Sequence, residues 1–214
     1  MEISFPSGQT SLRNDIPHLV LELDKGRVSA LFSLLQSGFF VADVKVGCCI
    51  AEFLTAQLGI SPDYIRGHIS TIFLDGKPVD DLESAVIRHG SHLALSSALP
   101  GLVGATLRQG SILASLRGSI TYSESGTCIS GEGVIYLKLF NLVMYDLGPS
   151  FLERGILVNS SDLRNLLNEH SDLLKDCAGI LFNGGPVEAA SLSDASIYAD
   201  HELVKLSVQI ASPH

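Results

Sequence analysis

The chain has 214 residues, of which 46% are hydrophobic and 17% are charged, and its formal net charge is −9. This composition is far from that of a disordered chain, and the length fits one large domain or two small ones. The 14 Lys and Arg residues are scattered, whereas nucleic acid requires a concentrated basic surface, so we predict no nucleic-acid partner. The low charge indicates that apolar surface is buried in a large core or an interface, which predicts a homo-oligomer or a protein partner.

The two longest uncharged stretches are 28–42 and 89–107. The first is too short to cross a bilayer, and the second contains His, Ser, Gly and Pro100, which a lipid-facing helix would not tolerate. The first residues contain no basic segment followed by an apolar run, so no signal peptide is expected. These features predict a cytoplasmic protein without a membrane partner.

Four cysteines occur, at Cys48, Cys49, Cys128 and Cys177. Their spacing matches neither a metal site nor an iron–sulfur cluster, so we predict no metal and no cofactor. Reduced and buried thiols are the expected state of such cysteines in a cytosolic protein.

Predicted elements in the first half of the chain begin with a strand at 18–24. An apolar segment then ends at Gly38 and leads into a short strand, and a helix is predicted over 47–59. A strand from Ile72 enters the turn Asp75-Gly76, and a last strand covers 91–99.

The second half repeats this order. A strand is predicted over 134–146, an apolar segment ends at Gly155, and a helix over 162–170 has Ser160 or Ser161 as its cap. The segment Ile180-Leu-Phe-Asn-Gly-Gly-Pro-Val187 resembles Ile72-Phe-Leu-Asp-Gly-Lys-Pro-Val79, and a strand over 201–211 follows. Agreement in the order of elements predicts an internal duplication.

This division gives an N-terminal arm at 1–17, a first half at 18–100, a connecting segment at 101–133 and a second half at 134–214. The connecting segment is rich in Gly and Ser but contains alternating apolar residues, so short strands and loops are predicted there.

The turn and the strand after it resemble the β-grasp sulfur-carrier proteins of thiamin and molybdopterin synthesis. The matching residues are Asp75, Gly76, Val79, Val86, Gly90 and Leu93, with looser matches at Asn183, Gly184, Val187 and Leu203. The resemblance implies an α+β fold of two tandem β-grasp-like halves.

Carrier activity in that family requires a C-terminal Gly-Gly. This chain ends Ile210-ASPH, and its first half continues as Pro100-GLVGA. We therefore do not expect carrier function to transfer, although cleavage after Gly101 or Gly104 would expose a terminal glycine.

The glycines and arginines of the connecting segment predict a binding site for a small anionic ligand, because backbone N–H groups and guanidinium groups bind anions. The candidate lining residues are Arg88, His92, Gly101, Gly104, Arg108 and Arg117.

Two further groups of polar residues are compatible with chemistry or with solvated turns. Histidines at His68, His89, His92 and His201 could form a metal or acid–base site, but no carboxylate or cysteine joins them at a convincing spacing. Acidic residues follow the two turns, and a solvated loop is the favoured interpretation for them. These are Asp80, Asp81, Glu83, Asp194 and Asp200.

Three functions remain open. The favoured one is a non-enzymatic binding or assembly protein, because β-grasp sheets serve as interaction platforms. The second is a small-ligand binder or enzyme with a site between the halves. The third is a remote sulfur-carrier relative.

Overall fold

The structure is a computed structural model, and it describes residues 16–97, 107, 122, 130–175, 177–198 and 201–211. Within these residues the chain forms a mixed sheet of ten strands together with helices, so the fold is α+β. Most of the predicted arm 1–17 and of the connecting segment 101–133 lies outside the described residues.

The strands in chain order are β1 (His18–Leu23), β2 (Phe39–Val46), β3 (Thr71–Leu74), β4 (Lys77–Pro78), β5 (His92–Ser96), β6 (Gly131–Phe140), β7 (Ile156–Asn159), β8 (Gly179–Phe182), β9 (Gly185–Pro186) and β10 (Leu203–Ile210). The helices are α1 (Phe32–Ser37), α2 (Ile50–Glu52, continued by a π-helical turn over Phe53–Gln57), α3 (Pro62–His68), α4 (Asn141–Arg154), α5 (Ser160–Glu169) and α6 (Ser171–Lys175). Short 3₁₀ segments cover Lys25–Leu31, Ala189–Ser193 and Ala195–Tyr198.

The two predicted turns are confirmed. Asp75 and Gly76 have φ values of 51° and 77°, and Asn183 and Gly184 have values of 51° and 80°. Positive φ at both central residues is what a type I′ hairpin turn requires, and Asp, Asn and Gly adopt it at low cost.

The predicted strand over 134–146 is wrong in its second part. β6 ends at Phe140, and Asn141, with a φ of 54°, turns the chain into α4. The apolar run continues across this boundary, so hydrophobicity alone does not divide the strand from the helix.

The prediction that Ser160 or Ser161 caps a helix is also wrong, because α5 already begins at Ser160. The N–H group of Ser160 donates to the carbonyl oxygen of Glu202 at 2.8 Å, so the adjacent chain segment supplies the acceptor. Helix α3 was not predicted, although Ser61 accepts a hydrogen bond from the N–H of Tyr64 and Pro62 occupies the first turn.

The sheet is continuous across both predicted halves, in the order β4-β3-β5-β6-β2-β7-β10-β1-β8-β9. β6 lies between β5 and β2, parallel to the former and antiparallel to the latter. β1 lies between β10 and β8, again parallel to one and antiparallel to the other. The first strand of each predicted half is therefore paired with strands of the other half.

One face of the sheet packs against the helices. Phe39 on β2 contacts Phe151 on α4, with ring centroids 5.3 Å apart, and Gly148 lets α4 approach Leu35 of α1. In the part of the chain that the structure describes, no helix combines the length and the apolar character needed to traverse a bilayer.

Candidate functional site

The face of the sheet opposite the helices carries a different set of side chains. Along β6, Ile135, Leu137 and Leu139 are fully buried in the helix-covered core, whereas the alternating residues Tyr136 and Lys138 are half-buried. This alternation is typical of a strand whose two faces have different environments.

A groove of about 460 Å³ lies on this second face, over β3, β5 and β6. Its described lining residues are Phe73, Gly76, His92, Leu93, Ala94, Ser96, Tyr136, Lys138 and Phe140.

Strand register explains why a groove forms at this place. Phe73, Ala94 and Lys138 are paired in one row across β3, β5 and β6. Neighbouring strands are about 4.8 Å apart, so the two long side chains stand about 10 Å apart with a methyl group between them. The small side chain of Ala94 thus forms the floor of a slot, which we call the Ala94 slot.

Tyr136 is the centre of an aromatic cluster at one end of the groove. Its ring centroid lies 5.0 Å from that of His92 and 4.9 Å from that of Phe40, and the Nζ atom of Lys138 lies 5.5 Å from it. The Tyr136 hydroxyl donates to the carbonyl oxygen of Ser37 at 2.8 Å. Burial, and less strongly the charge of Asp162, raises the pKa of Tyr136 above its usual value, so the phenol stays neutral.

Of the six predicted ligand-binding residues, His92 lines the groove. Arg88 is not among the described lining residues: its Nη1 atom donates to the hydroxyl oxygen of Tyr122 at 3.0 Å. The other four, Gly101, Gly104, Arg108 and Arg117, lie outside the described residues, so their role stays a prediction.

Asp200 lies outside the described residues, and His68, His89, Asp81 and Asp194 have local partners. The Nδ1 atom of His89 accepts from the N–H of Val134 at 3.3 Å, and His68 stacks on Tyr64. Asp81 and Asp194 accept hydrogen bonds from backbone N–H groups two residues further on, which lowers the pKa of both carboxyl groups. Among the described residues no group of three metal-ligating side chains is close enough to hold an ion.

A second polar cluster, missed by the sequence analysis, lies on the same face at the other end of the sheet. The Nε2 atom of His18 on β1 is 2.8 Å from the Oγ atom of Ser207 on β10. Burial, followed by the charge of Lys205, lowers the pKa of His18. The imidazole is therefore neutral over a wider pH range than a free histidine.

His18 and His92 occupy equivalent places in the two parts of the sheet. The N–H of His92 donates to Oδ1 of Asp75 at 2.7 Å, and the N–H of His18 donates to Oδ1 of Asn183 at 2.8 Å. The segments His18-Leu-Val-Leu and His92-Leu-Ala-Leu are similar, which is the signal that could have revealed the match. His18, and not His201 of the predicted second half, therefore holds the place equivalent to His92.

The described cysteines, Cys48, Cys49 and Cys177, are free and half-buried rather than fully buried. The Cys48 thiol donates to the carbonyl oxygen of Lys45, and burial raises its pKa. Burial also raises the pKa of Cys177 to about 11. These two thiols are thus protonated at neutral pH, which makes them poor nucleophiles.

Comparisons of this chain with protein-family models, with curated proteins and with solved structures found no match.

Proposed function

We propose that this chain is a non-enzymatic binding protein that holds the ring of a small ligand in the Ala94 slot. The observation that carries this proposal is the row Phe73–Ala94–Lys138, in which a methyl group separates two long side chains.

The size and chemistry of the groove support this function. Its volume of about 460 Å³ is within the range of small-molecule sites, which are mostly apolar with a few polar groups. Phe73, Tyr136 and Phe140 supply rings, while Lys138 and His92 supply polar atoms. Residues 136–140 belong to the predicted second half and the other lining residues to the first. Residues of both predicted halves thus line the groove, which supports a site between them.

The edges of the sheet favour binding on a face over binding by strand addition. Among the described residues, the outermost strands of the sheet are β4 and β9, which are each only two residues long and end in Pro78 and Pro186. Proline has no N–H group, and short edge strands are a common protection against pairing with another chain.

Binding of the neutral probe 2-naphthalenemethanol, followed by NMR titration of the full chain, tests the proposal. We expect shifts of amide signals in β3, β5 and β6. The variant Ala94→Phe fills the slot and should weaken binding by about tenfold or more, because a ring then occupies the space of the probe.

Val20→Phe is the matched control, since Val20 follows His18 by two residues as Ala94 follows His92. This variant should bind the probe like the wild type. The proposal is wrong if Ala94→Phe binds normally, or if both variants lose binding equally while their melting temperatures are unchanged.

We infer further that the sheet is a duplicated β-grasp unit with exchanged strands. The pairing of β6 between β5 and β2 supports this inference, since a β-grasp sheet places its first strand beside its last. The equivalent contacts of Asp75 and Asn183 support a repeated unit, in which β1 takes the place of β5 and β10 takes the place of β6.

Self-assembly is a second candidate function. Leu142 and Tyr145 on α4 are 63% and 58% exposed, and their spacing of three residues places them side by side. Adjacent exposed apolar side chains are typical of an interface. Light scattering should show that Leu142→Lys reduces the native mass to that of a monomer, while Ile210→Lys does not. A monomeric wild type would contradict this candidate.

A further inference from the structure

Lys138 places a positive charge in the lining of the groove. Its ammonium group contacts the ring of Tyr136, and no carboxylate within the described residues forms an ion pair with it. A cation held over an aromatic ring keeps part of its charge available to a second partner.

The surroundings of Lys138 favour an anion. The chain carries a net charge of −9, yet the described lining of the groove contains Lys138 and His92 and no carboxylate. Two carboxylates outside this lining act on its residues: Oδ1 of Asp75 accepts the N–H of His92, and the charge of Asp162 acts on Tyr136. Charge of one sign in a partly apolar groove attracts ligands of the other sign.

The spacing within the row restricts the shape of the ligand. Phe73 and Lys138 flank Ala94, so a flat ring that lies on the methyl group has an aromatic wall on one side and an ammonium group on the other. An acidic group attached to the ring would reach Lys138, where a charge-assisted hydrogen bond can form.

We propose that the ligand is a small aromatic carboxylate, with its ring in the Ala94 slot and its carboxylate at Lys138. This inference rests on the proposed function and adds the class of ligand. In this arrangement Lys138 determines the specificity for an anion. The rings of Phe73 and Phe140 determine the specificity for an aromatic group.

Two probes of equal ring size test the inference: 2-naphthoate, which is anionic, and 2-naphthalenemethanol, which is neutral. Both are titrated calorimetrically into the full chain at neutral pH. We expect the wild type to bind naphthoate about five-fold more tightly than the alcohol. Lys138→Met should remove this preference, so that the variant binds both probes with equal affinity, and Lys138→Arg should retain it.

Lys205→Met is the matched control, because Lys205 pairs with His18 as Tyr136 pairs with His92, and it lies outside the groove. This variant should keep the preference for naphthoate. Equal affinities in the wild type, a preference that persists in Lys138→Met, or its loss in Lys205→Met would each overturn the inference. In those cases the probes still bind. If neither probe bound to the wild type, the proposed function itself would be overturned.

Discussion

The ring of Tyr136 lies directly over Gly38, so that a Cβ atom built on Gly38 would overlap it. Gly38 ends α1 and has φ and ψ values of 119° and 153°, a region that residues with a side chain rarely adopt. The close approach also sets the hydrogen bond from the Tyr136 hydroxyl to the carbonyl oxygen of Ser37. The position of the Tyr136 ring in the groove thus depends on Gly38, which does not line the groove.

Replacement of Gly38 by alanine should therefore destabilise the protein by about 3 kcal/mol, since backbone strain and steric overlap add. Gly59→Ala is the matched control: Gly59 has a φ of 72°, but a Cβ atom there would meet no other atom within 4 Å. It should cost about 1 kcal/mol, from the backbone alone. Urea denaturation measures both values, and equal losses would show that the Tyr136 contact contributes nothing.

A second prediction concerns the hydrogen bond that the N–H of His92 donates to Asp75. In the other part of the sheet, Asn183 accepts the equivalent bond from His18. Asp75→Asn keeps both the acceptor oxygen and the tolerance of positive φ, so its free energy of unfolding should stay close to that of the wild type. Asp75→Ala removes the acceptor and should cost about 1 kcal/mol. A loss of similar size for both variants in urea denaturation would show that the charge of Asp75, not its hydrogen bond, matters.

The pKa of His18 is the subject of a third prediction. Burial and Lys205 both disfavour the imidazolium ion, so an NMR titration should give His18 a pKa below 6.5. The contribution of this group to stability is complete above pH 6.5 and is lost as the pH falls through the folded-state pKa, because the unfolded chain binds the proton more tightly.

Lys205→Met should raise the pKa of His18 only in part, since burial is the larger cause. The Oγ atom of Ser207 lies 2.8 Å from the Nε2 atom of His18, but it carries no charge. Lys205 is therefore the charged group that acts on this imidazole. A pKa that returns fully to 6.5 in Lys205→Met would show that charge repulsion, rather than burial, sets the titration.

The sequence predicted those elements whose signal is local. The turns at Asp75 and Asn183 need positive φ, and the residues that tolerate it are visible in the sequence. The prediction that apolar segments end at Gly38 and Gly155 is confirmed for the same reason, since a helix ends at each of these glycines. The helix α4 was missed because an apolar strand runs into an apolar helix, and only the backbone of Asn141 separates them.

The order of the strands could not be predicted in this way. β1 and β10 are neighbours, parallel and similar in composition, so no local pattern decides which of the two lies beside β8. The groove was found only in part for a related reason. His92 drew attention because histidine is often functional, whereas Phe73, Tyr136 and Lys138 occupy ordinary alternating positions of strands. Their proximity follows from the register between β3, β5 and β6, which a single sequence does not contain.

Strand order also predicts which fragments of the chain fold alone. Residues 25–154 contain β2 to β6, which are five adjacent strands of the sheet, together with α4, which contacts β2, β5 and β6 and also β10 outside the fragment. This fragment should show a cooperative unfolding transition in urea. The predicted first half, 18–100, contains β5 and β2 but lacks β6, the strand between them, so it should show no such transition.

The fragment 134–214 lacks β1, through which the β8–β9 hairpin joins the sheet, so it should also fail to fold alone. A synthetic peptide of residues 16–24 added to a chain that starts at residue 25 should restore the missing strand and raise the midpoint of urea denaturation. Circular dichroism follows each transition. Cooperative unfolding of 18–100 together with an unfolded 25–154 would instead support two independent halves, and the exchanged strands would then be a feature of the full chain alone.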